Sequence, residues 1–529
     1  MVYILQRYIF RELCKVFIPA AVALTLILSL GSLLRPIQAY GVGPSQVAHL
    51  LVYFLPVTLT FVLPIAALFA TALTYGRLAT DNEIDACKAS GISPMTLIYP
   101  GFLLAVLVAI ANLVLSFHVM PYFVRLADQS INANLKQIVF RHLQRRGFYG
   151  LPPENRYAIY ADYANPQTDS LLGVIVLKTR DAKIDQIIAT ESAKVSFENL
   201  DGFNEVRITA HNTIQMGLGS KAWFEVKTLS LGQPFESLLA DRIGFKCIDD
   251  MKRIQTDLLL FGPIEKDARQ VCAQAMTELL ADDITRALSA GRMYELAGPT
   301  QIVHLTAAGV LLGGKKTIQL AGPVEIAEID LSSAKPSRRW LCEKATLNVE
   351  GDEWAPMLSL DVVNAHAVDM AGMMMRYAVT GLAMPRPIAA KATAHPLLET
   401  LTGPELAATL PKGPSPQLTQ AIDRLRWQIR STISDIKAEI HTRLVFGIGC
   451  IPMILIGIGL GIIRRGGHLL SAFAISCIPA VILIVGIVSG RQVTNNPSSQ
   501  GVSGTVLMWS GLVILWIMAF GIYRRLTRH

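Results

Sequence analysis

The chain has 529 residues, 52% hydrophobic and only 17% charged, well below the roughly 25% charge of a soluble domain, so a wholly soluble protein is excluded. Its net charge of +8 gathers at the ends of apolar runs, as membrane topology demands, and does not point to nucleic acid. Seven dispersed cysteines do not make a disulfide framework.

Apolar runs of about 18 residues or more without charge read as membrane spans. Six occur, near 16–34, 47–75, 92–117, 444–463, 469–490 and 502–523. The first outruns the 7–15-residue apolar core of a signal peptide, and no small-residue cleavage site precedes Arg35-Pro36. Ahead of it, residues 2–12 place Ile4, Tyr8 and Ile9 on one helical face, which fits either an interfacial helix or an early start of the span. Positive charge near the span ends sets the orientation. Arg7, Arg11, Lys15, Arg77, Lys88, Arg464, Arg465, Arg524, Arg525 and Arg528 mark cytoplasmic ends, whereas the outer ends carry only Arg35, Arg125, Arg443 and Arg491. Both termini are therefore expected in the cytoplasm.

Between the second and third spans lies G-R-L-A-T-D-N-E-I-D-A-C-K-A-S-G-I-S, residues 76–93. Thr80 to Glu83 fits a capping box, in which a hydroxyl and a Glu three residues on satisfy each other's free amides. Gly91 supplies a stop, and Ser93-Pro94 a fresh N-cap with Pro at the first helical position. The spacing predicts a rigid helix of about two turns. Asp81, Glu83 and Asp85 break the positive-inside trend, and a rigid acidic helix suits a basic groove on another protein. The second span carries Pro56 and Pro64, each of which removes a backbone hydrogen bond and invites a kink.

After the third span the pattern predicts a break at Pro121 and then a polar helix. Residues 141–420 have the composition of a large outer domain. Stretches 157–160, 173–178, 193–198, 205–210 and 222–229 have strand character, separated by Asn-Pro, Asp-Gly and Gly-Leu-Gly turns. Residues 302–370 repeat that character, and 247–300 read as a helical insertion. E-S-A-K-V-S-F-E from Glu191 resembles E-K-A-T-L-N-V-E from Glu343, by duplication or by chance between amphipathic strands. Cys247, Cys272 and Cys342 fall in this domain, where one disulfide or packed free thiols are both open. A Pro/Gly linker occupies 402–416. Ile422, Leu425, Ile429, Ile433, Ile436 and Ile440 then mark one face of a long helix that runs directly into the fourth span. Gly457 and Gly461 form a small-xxx-small pair in that span.

Catalytic and metal motifs are missing. G-V-L-L-G-G-K-K, residues 309–316, departs from the phosphate-binding loop by putting Lys316 where a hydroxyl should hold magnesium, and reads as a hairpin turn. The ten histidines are dispersed, and the spans hold no acids to titrate. The expectation is no catalytic residue, no metal and no cofactor on this chain.

The loop 76–93, the N-terminal R-Y-I-F-R-E, A-E-I-H-T-R-L ahead of the fourth span and R-R-G-G after it resemble the LptF/LptG (YjgP/YjgQ) permeases of the lipopolysaccharide export ABC transporter. The likeness covers about 1–235 and 421–529, and D-N-E-I is slightly nearer the LptF type. The resemblance implies six transmembrane helices with a large periplasmic β-rich, jellyroll-like domain between the third and fourth spans, in the bacterial inner membrane. The domain plan is then 1–140 for the first membrane half, 141–420 for the periplasmic part and 421–529 for the second half. Within the periplasmic part, 147–235 is jellyroll-like and 240–400 an insertion with a possible second β module. It implies as partners a cytoplasmic ABC ATPase dimer that binds the ATP, a second LptF/LptG-type permease, periplasmic LptC/LptA-like bridge proteins and lipopolysaccharide or a related glycolipid. The first and fifth spans would form a lateral gate. ATPase coupling would fall to Arg77, Thr80, Asp81, Glu83, Ile84, Asp85 and Gly91, and Arg35 would stand where basic residues meet lipid phosphates. Two rival readings are a structural adaptor anchoring an envelope complex through the outer domain, and a membrane-embedded transferase or hydrolase.

Overall fold

The computed structural model describes residues 2–40, 44–133, 135–150, 157–180, 183–200, 203–217, 222–235, 242–298, 301–314, 316–330, 336–351, 356–367, 373–393, 413, 415–463, 469–494 and 502–528. The expected Pro/Gly linker lies almost wholly outside these, as do Arg464 and Arg465.

Each charge-poor run folds as a helix, because a backbone without water must satisfy its own amides and carbonyls. Helices α1 (Val2–Tyr40), α2 (Pro44–Thr80), α3 (Glu83–Ala89) and α4 (Pro94–Val114) come first. A π-helical turn, Leu115–Val119, leads from α4 into α5 (Met120–Ala133), and α6 (Leu135–Arg146) follows. Among the described residues, five helices are long and apolar enough to cross a membrane: Tyr3–Gly31, Leu51–Thr80, Pro94–Ser130, Pro416–Ile463 and Ser503–Leu526. The sixth expected span is helical too, within Leu469–Thr494, where the apolar stretch Ile478–Thr494 is described.

Two expectations about this half change. Residues 2–12 are no separate interfacial helix but the first turns of α1. Ile9 and Leu13 are buried there, while Tyr3 and Ile4 face outward. The expected break at Pro121 is absent. The π turn, which carries one extra residue, meets the proline at the second position of α5, and the helix runs on. Pro64 leaves the Thr60 carbonyl without its usual donor. Buried Asn112 of α4 donates Nδ2 to that carbonyl at 2.6 Å, so the proline that weakens α2 creates a tie to its neighbour.

The first compact unit comprises residues 1–253 and 432–529. Its sheet has strands β1 (Phe148–Gly150), β2 (Tyr157–Asn165), β3 (Ser170–Arg180), β4 (Lys183–Leu200), β5 (Phe203–Gly217) and β6 (Ala222–Phe235). They pair antiparallel in sequential order. That is a hairpin meander and not the double Greek key of a jelly roll, so the jellyroll-like expectation does not extend to the strand order. All five expected strand stretches lie inside longer strands. Val139, Phe140 and Leu143 of α6 fill the sheet's buried face against Ile159, Leu171 and Val174.

The second unit is residues 254–431. Helix α7 (Ile248–Thr256) leads to it, and α8 (Gly262–Ser289) is its core. Strands β7 (Tyr294–Ala297), β8 (Gln301–Thr306), β9 (Gly309–Leu312), β10 (Thr317–Asp330), β11 (Pro336–Gly351), β12 (Pro356–Ala367) and β13 (Met373–Ala383) form an antiparallel sheet, followed by α9 (Arg386–Thr393). Its order is β13-β12-β11-β10-β8-β7, with β9 also on β10. Gly309–Lys316 is the β9–β10 hairpin, as its failed phosphate-loop pattern implies, with Lys316 at φ 58°. The two similar octapeptides occupy β4 and β11, and each buries the same alternate positions: Ala193 and Val195 in one, Ala345 and Leu347 in the other. Cys247, Cys272 and Cys342 are free thiols, and burial raises the Cys342 thiol above its ordinary range.

Helix α8 is buried around its whole girth between Val271 and Ala281, yet it carries polar groups, which must then be partnered. Gln274 Oε1 accepts from Lys316 N at 3.2 Å. Glu278 accepts from the amide of Ser415 at 3.1 Å and from its hydroxyl. Ser415 Oγ in turn accepts from Leu418 N at 3.1 Å, an N-cap on α10 (Pro416–Ile463). That helix is unbroken over 48 residues, matching the expected run from an amphipathic face into a span. Helices α11 (Leu469–Thr494) and α12 (Val502–Arg528) complete the chain.

Candidate functional site

The sequence residues singled out for coupling converge where α2 ends, α3 turns and α4 begins. The start differs from the expected capping box. Thr80 is still in the last turn of α2, and its hydroxyl donates to Gly76 O at 2.9 Å, so it cannot reach Glu83. Asn82 is the N-cap instead, at φ 58°, ψ 15° and without a side-chain cap bond; asparagine tolerates the left-handed region better than most residues. The Ser93 side chain makes no cap bond either, although Pro94 does open α4.

The C-terminal end is built as read. Gly91 adopts φ 78°. Gly91 N donates to Lys88 O at 2.9 Å and Ile92 N to Cys87 O at 3.1 Å, the paired bonds of a Schellman motif. Nothing lies within 4 Å of a Cβ built at Gly91, so only backbone strain opposes a side chain there. Gly91→Ala should cost about 1 kcal/mol, fraying α3 locally. Amide exchange across residues 84–92 should quicken roughly fivefold, as read by hydrogen-exchange mass spectrometry; unchanged exchange would refute it.

Helix α3 is seated by one side chain. Ile84 is 4% exposed and joins a cluster with Ile9 and Leu13 of α1, Tyr75 and Leu78 of α2, and Leu97 of α4, with Cys87 and Ile92 at its margin. Ile84 is thus an anchor and not part of the outward surface. Asp81, Asn82, Ala86, Ala89 and Ser90 are exposed, and Glu83 and Asp85 are half-buried. Acids in the first turn and Lys88 in the last both complement the helix dipole.

Two further residues, not singled out from sequence, complete this seat. Arg77 donates Nη2 to Glu12 Oε2 of α1 at 2.8 Å. Glu12 is the only acid among the first 80 residues, a signal that could have pointed to it. Tyr75, fully buried, donates its hydroxyl to Leu97 O at 2.9 Å and accepts from Gly101 N at 3.2 Å. It thereby spans one turn of α4. Nothing in the local pattern distinguishes it from an ordinary membrane tyrosine.

Arg35 does not join this group. It lies on α1 roughly 35 Å along the helix from Glu12, at 1.5 Å per residue, and its side chain is outside the described residues. Among the described residues no group of three or more His, Cys, Asp or Glu could hold a metal ion. The arrangement offers a braced short helix with acids in its first turn.

A comparison with protein-family models matches residues 7–225 and 321–525 to the family described as Lipopolysaccharide export system permease LptF/LptG. The matched part includes the whole α2–α3–α4 corner. It resumes at 321, inside the region that sequence reading assigned to the insertion, and leaves 226–320, with α7, α8 and β7 to β9, unmatched. A search of curated proteins gave no match.

Proposed function

The chain belongs to the LptF/LptG family of lipopolysaccharide export system permeases, and from that premise we propose that α3 is the point where a separate ATPase drives it. The chain is a transporter permease component, and its apolar helices fit the inner membrane. In this reading a cytoplasmic ATPase dimer receives α3 of this chain and the matching helix of a second permease. ATP-driven closure moves the helix, and the membrane helices pass lipopolysaccharide or a related glycolipid to a periplasmic bridge. The reading does not separate the LptF from the LptG type.

One observation carries it. Ile84 seats α3 in one apolar cluster with residues of α1, α2, α4 and α10, so a push on α3 reaches the membrane helices through that shared cluster. Exposed Asp81 just before the helix, with half-buried Glu83 and Asp85 in its first turn, makes an acidic surface suited to a basic groove.

Glu83→Arg reverses one charge at a half-buried flank and leaves Ile84 in place. The expected result is normal membrane insertion, loss of ATPase co-purification and export reduced at least tenfold, as an interfacial like-charge contact costs several kcal/mol. Wild-type co-purification together with normal export would rule the coupling role out. A structural adaptor would tolerate the change.

A further inference from the structure

Far along α10 from α3's neighbours, just before its uncharged run, sit two buried ions. Glu439 and Arg443 are 7% and 3% exposed and one helical turn apart. Arg443 donates Nε to Glu439 Oε1 at 3.0 Å and Nη2 to the carbonyl of Gly244 at 2.9 Å. Its guanidinium lies 5.6 Å from the ring centroid of Phe117, within the π turn that follows α4. Three elements meet on this one side chain. Buried ions of this kind at the edge of a span are expensive and mark function more often than structure.

A third ion differs from these two. Arg491, near the end of α11, places Nη1 3.1 Å from Glu439 Oε2, but its side chain is 42% exposed. Among the described residues, no hydrogen bond of good geometry reaches that oxygen. The contact is an ion pair with one foot in solvent, and such pairs are weak. Removing either member of the Glu439–Arg443 pair would strand a buried charge. Parting from Arg491 costs Glu439 one charged neighbour at Oε2, while Arg443 still neutralises the carboxylate through Oε1 and Arg491 passes into water. The cluster is therefore a fixed joint with one detachable arm.

We propose that Glu439 and Arg491 form a latch that holds the end of α11 against α10 and parts when α11 swings away, with Arg443 as the positioning residue that keeps Glu439 aimed at it. The latch rests on the permease reading above, together with the resemblance's implication that the fifth span lies at a gate.

The test uses the full complex with its partner permease and ATPase, in proteoliposomes loaded with lipopolysaccharide. In Arg491→Gln, lipopolysaccharide released per ATP hydrolysed should fall roughly threefold to fivefold with ATP hydrolysis little changed, and Arg491→Lys should restore it. A second readout needs no transport. Nitroxide labels on Lys437→Cys and Val488→Cys, both exposed in the wild type, should report a longer and broader α10–α11 distance in Arg491→Gln. A wild-type complex that releases no lipid would sink the permease reading and leave the distance measurement to decide the latch. Unchanged distance and unchanged release per ATP would overturn the latch. So would loss of membrane insertion in Arg491→Gln, which would assign the pair to folding.

Discussion

Gly461→Leu is expected to force α2 and α10 apart and to cost on the order of 3 kcal/mol. A Cβ at Gly461 would lie 2.9 Å from Ala72 O and 3.1 Å from Gly76 N. Both obstacles are backbone, so no side-chain rotation relieves them and a whole helix must shift. The partner at Gly457 is the same helix, through Leu68 and Thr71. The small-xxx-small pair therefore sets the closest approach of α10 to α2, where packing substitutes for the missing hydrophobic drive between membrane helices. Gly521→Leu is the matched control, because nothing lies within 4 Å of a Cβ there. Thermal unfolding of the detergent-solubilised protein should show a drop for the first and little change for the second, with Gly461→Ala between them. Equal midpoints for the Leu pair would refute the contact. Since Gly76 is also one turn above Thr80, the shift should loosen α3 as well.

Ile84→Asp is expected to unseat α3 without unfolding the membrane helices. The substitution forfeits the transfer free energy of a buried isoleucine, about 2–3 kcal/mol, and sets an ion into the cluster of Ile9, Leu13, Tyr75, Leu78 and Leu97. An ion there has a cheap escape, since α3 is short and opens to water, so the helix should lift rather than bury the charge. Limited proteolysis should then cut between Thr80 and Ser93, while the wild type, with Ile84 buried, should resist, and Ile84→Val should resist almost as well. The acids Asp81, Glu83 and Asp85 all survive in this variant. If seating is what transmits force, export should still fail, now by a different route from Glu83→Arg. Full protease resistance in Ile84→Asp would show that α3 does not depend on this anchor.

Much of the corner is legible in the chain itself. The charge-free runs on either side of residues 76–93 mark two spans, and Gly91 marks the stop because only a residue free of a Cβ takes φ 78° at no cost. The start is misread for a local reason. Thr80 and Glu83 have the spacing of a capping box, but α2 continues through Thr80 and offers its hydroxyl the carbonyl of Gly76 first. Among the strands, hydrophobic alternation locates β2 to β6 but underestimates their length, because polar ends such as Lys183–Gln186 of β4 still pair with β3, and Gln186 with β5 as well. The break expected at Pro121 fails because a π turn, invisible to composition, meets the proline.

Taken alone, the sequence determined which segments are apolar enough to cross a membrane, where a short acidic helix interrupts them, that α10 runs unbroken into its apolar part, and which family the corner resembles. These follow from local quantities: hydropathy, punctuation and helical period. Only the tertiary structure decided that Ile84 points inward, that Glu12 braces Arg77 across 65 positions, that Gly461 abuts α2, and that Glu439 lies between Arg443 and Arg491. A helical period tells which residues share a face. It does not tell which helix that face will meet, because in a membrane every apolar face is equally acceptable to lipid until close packing and buried polar pairs choose among them.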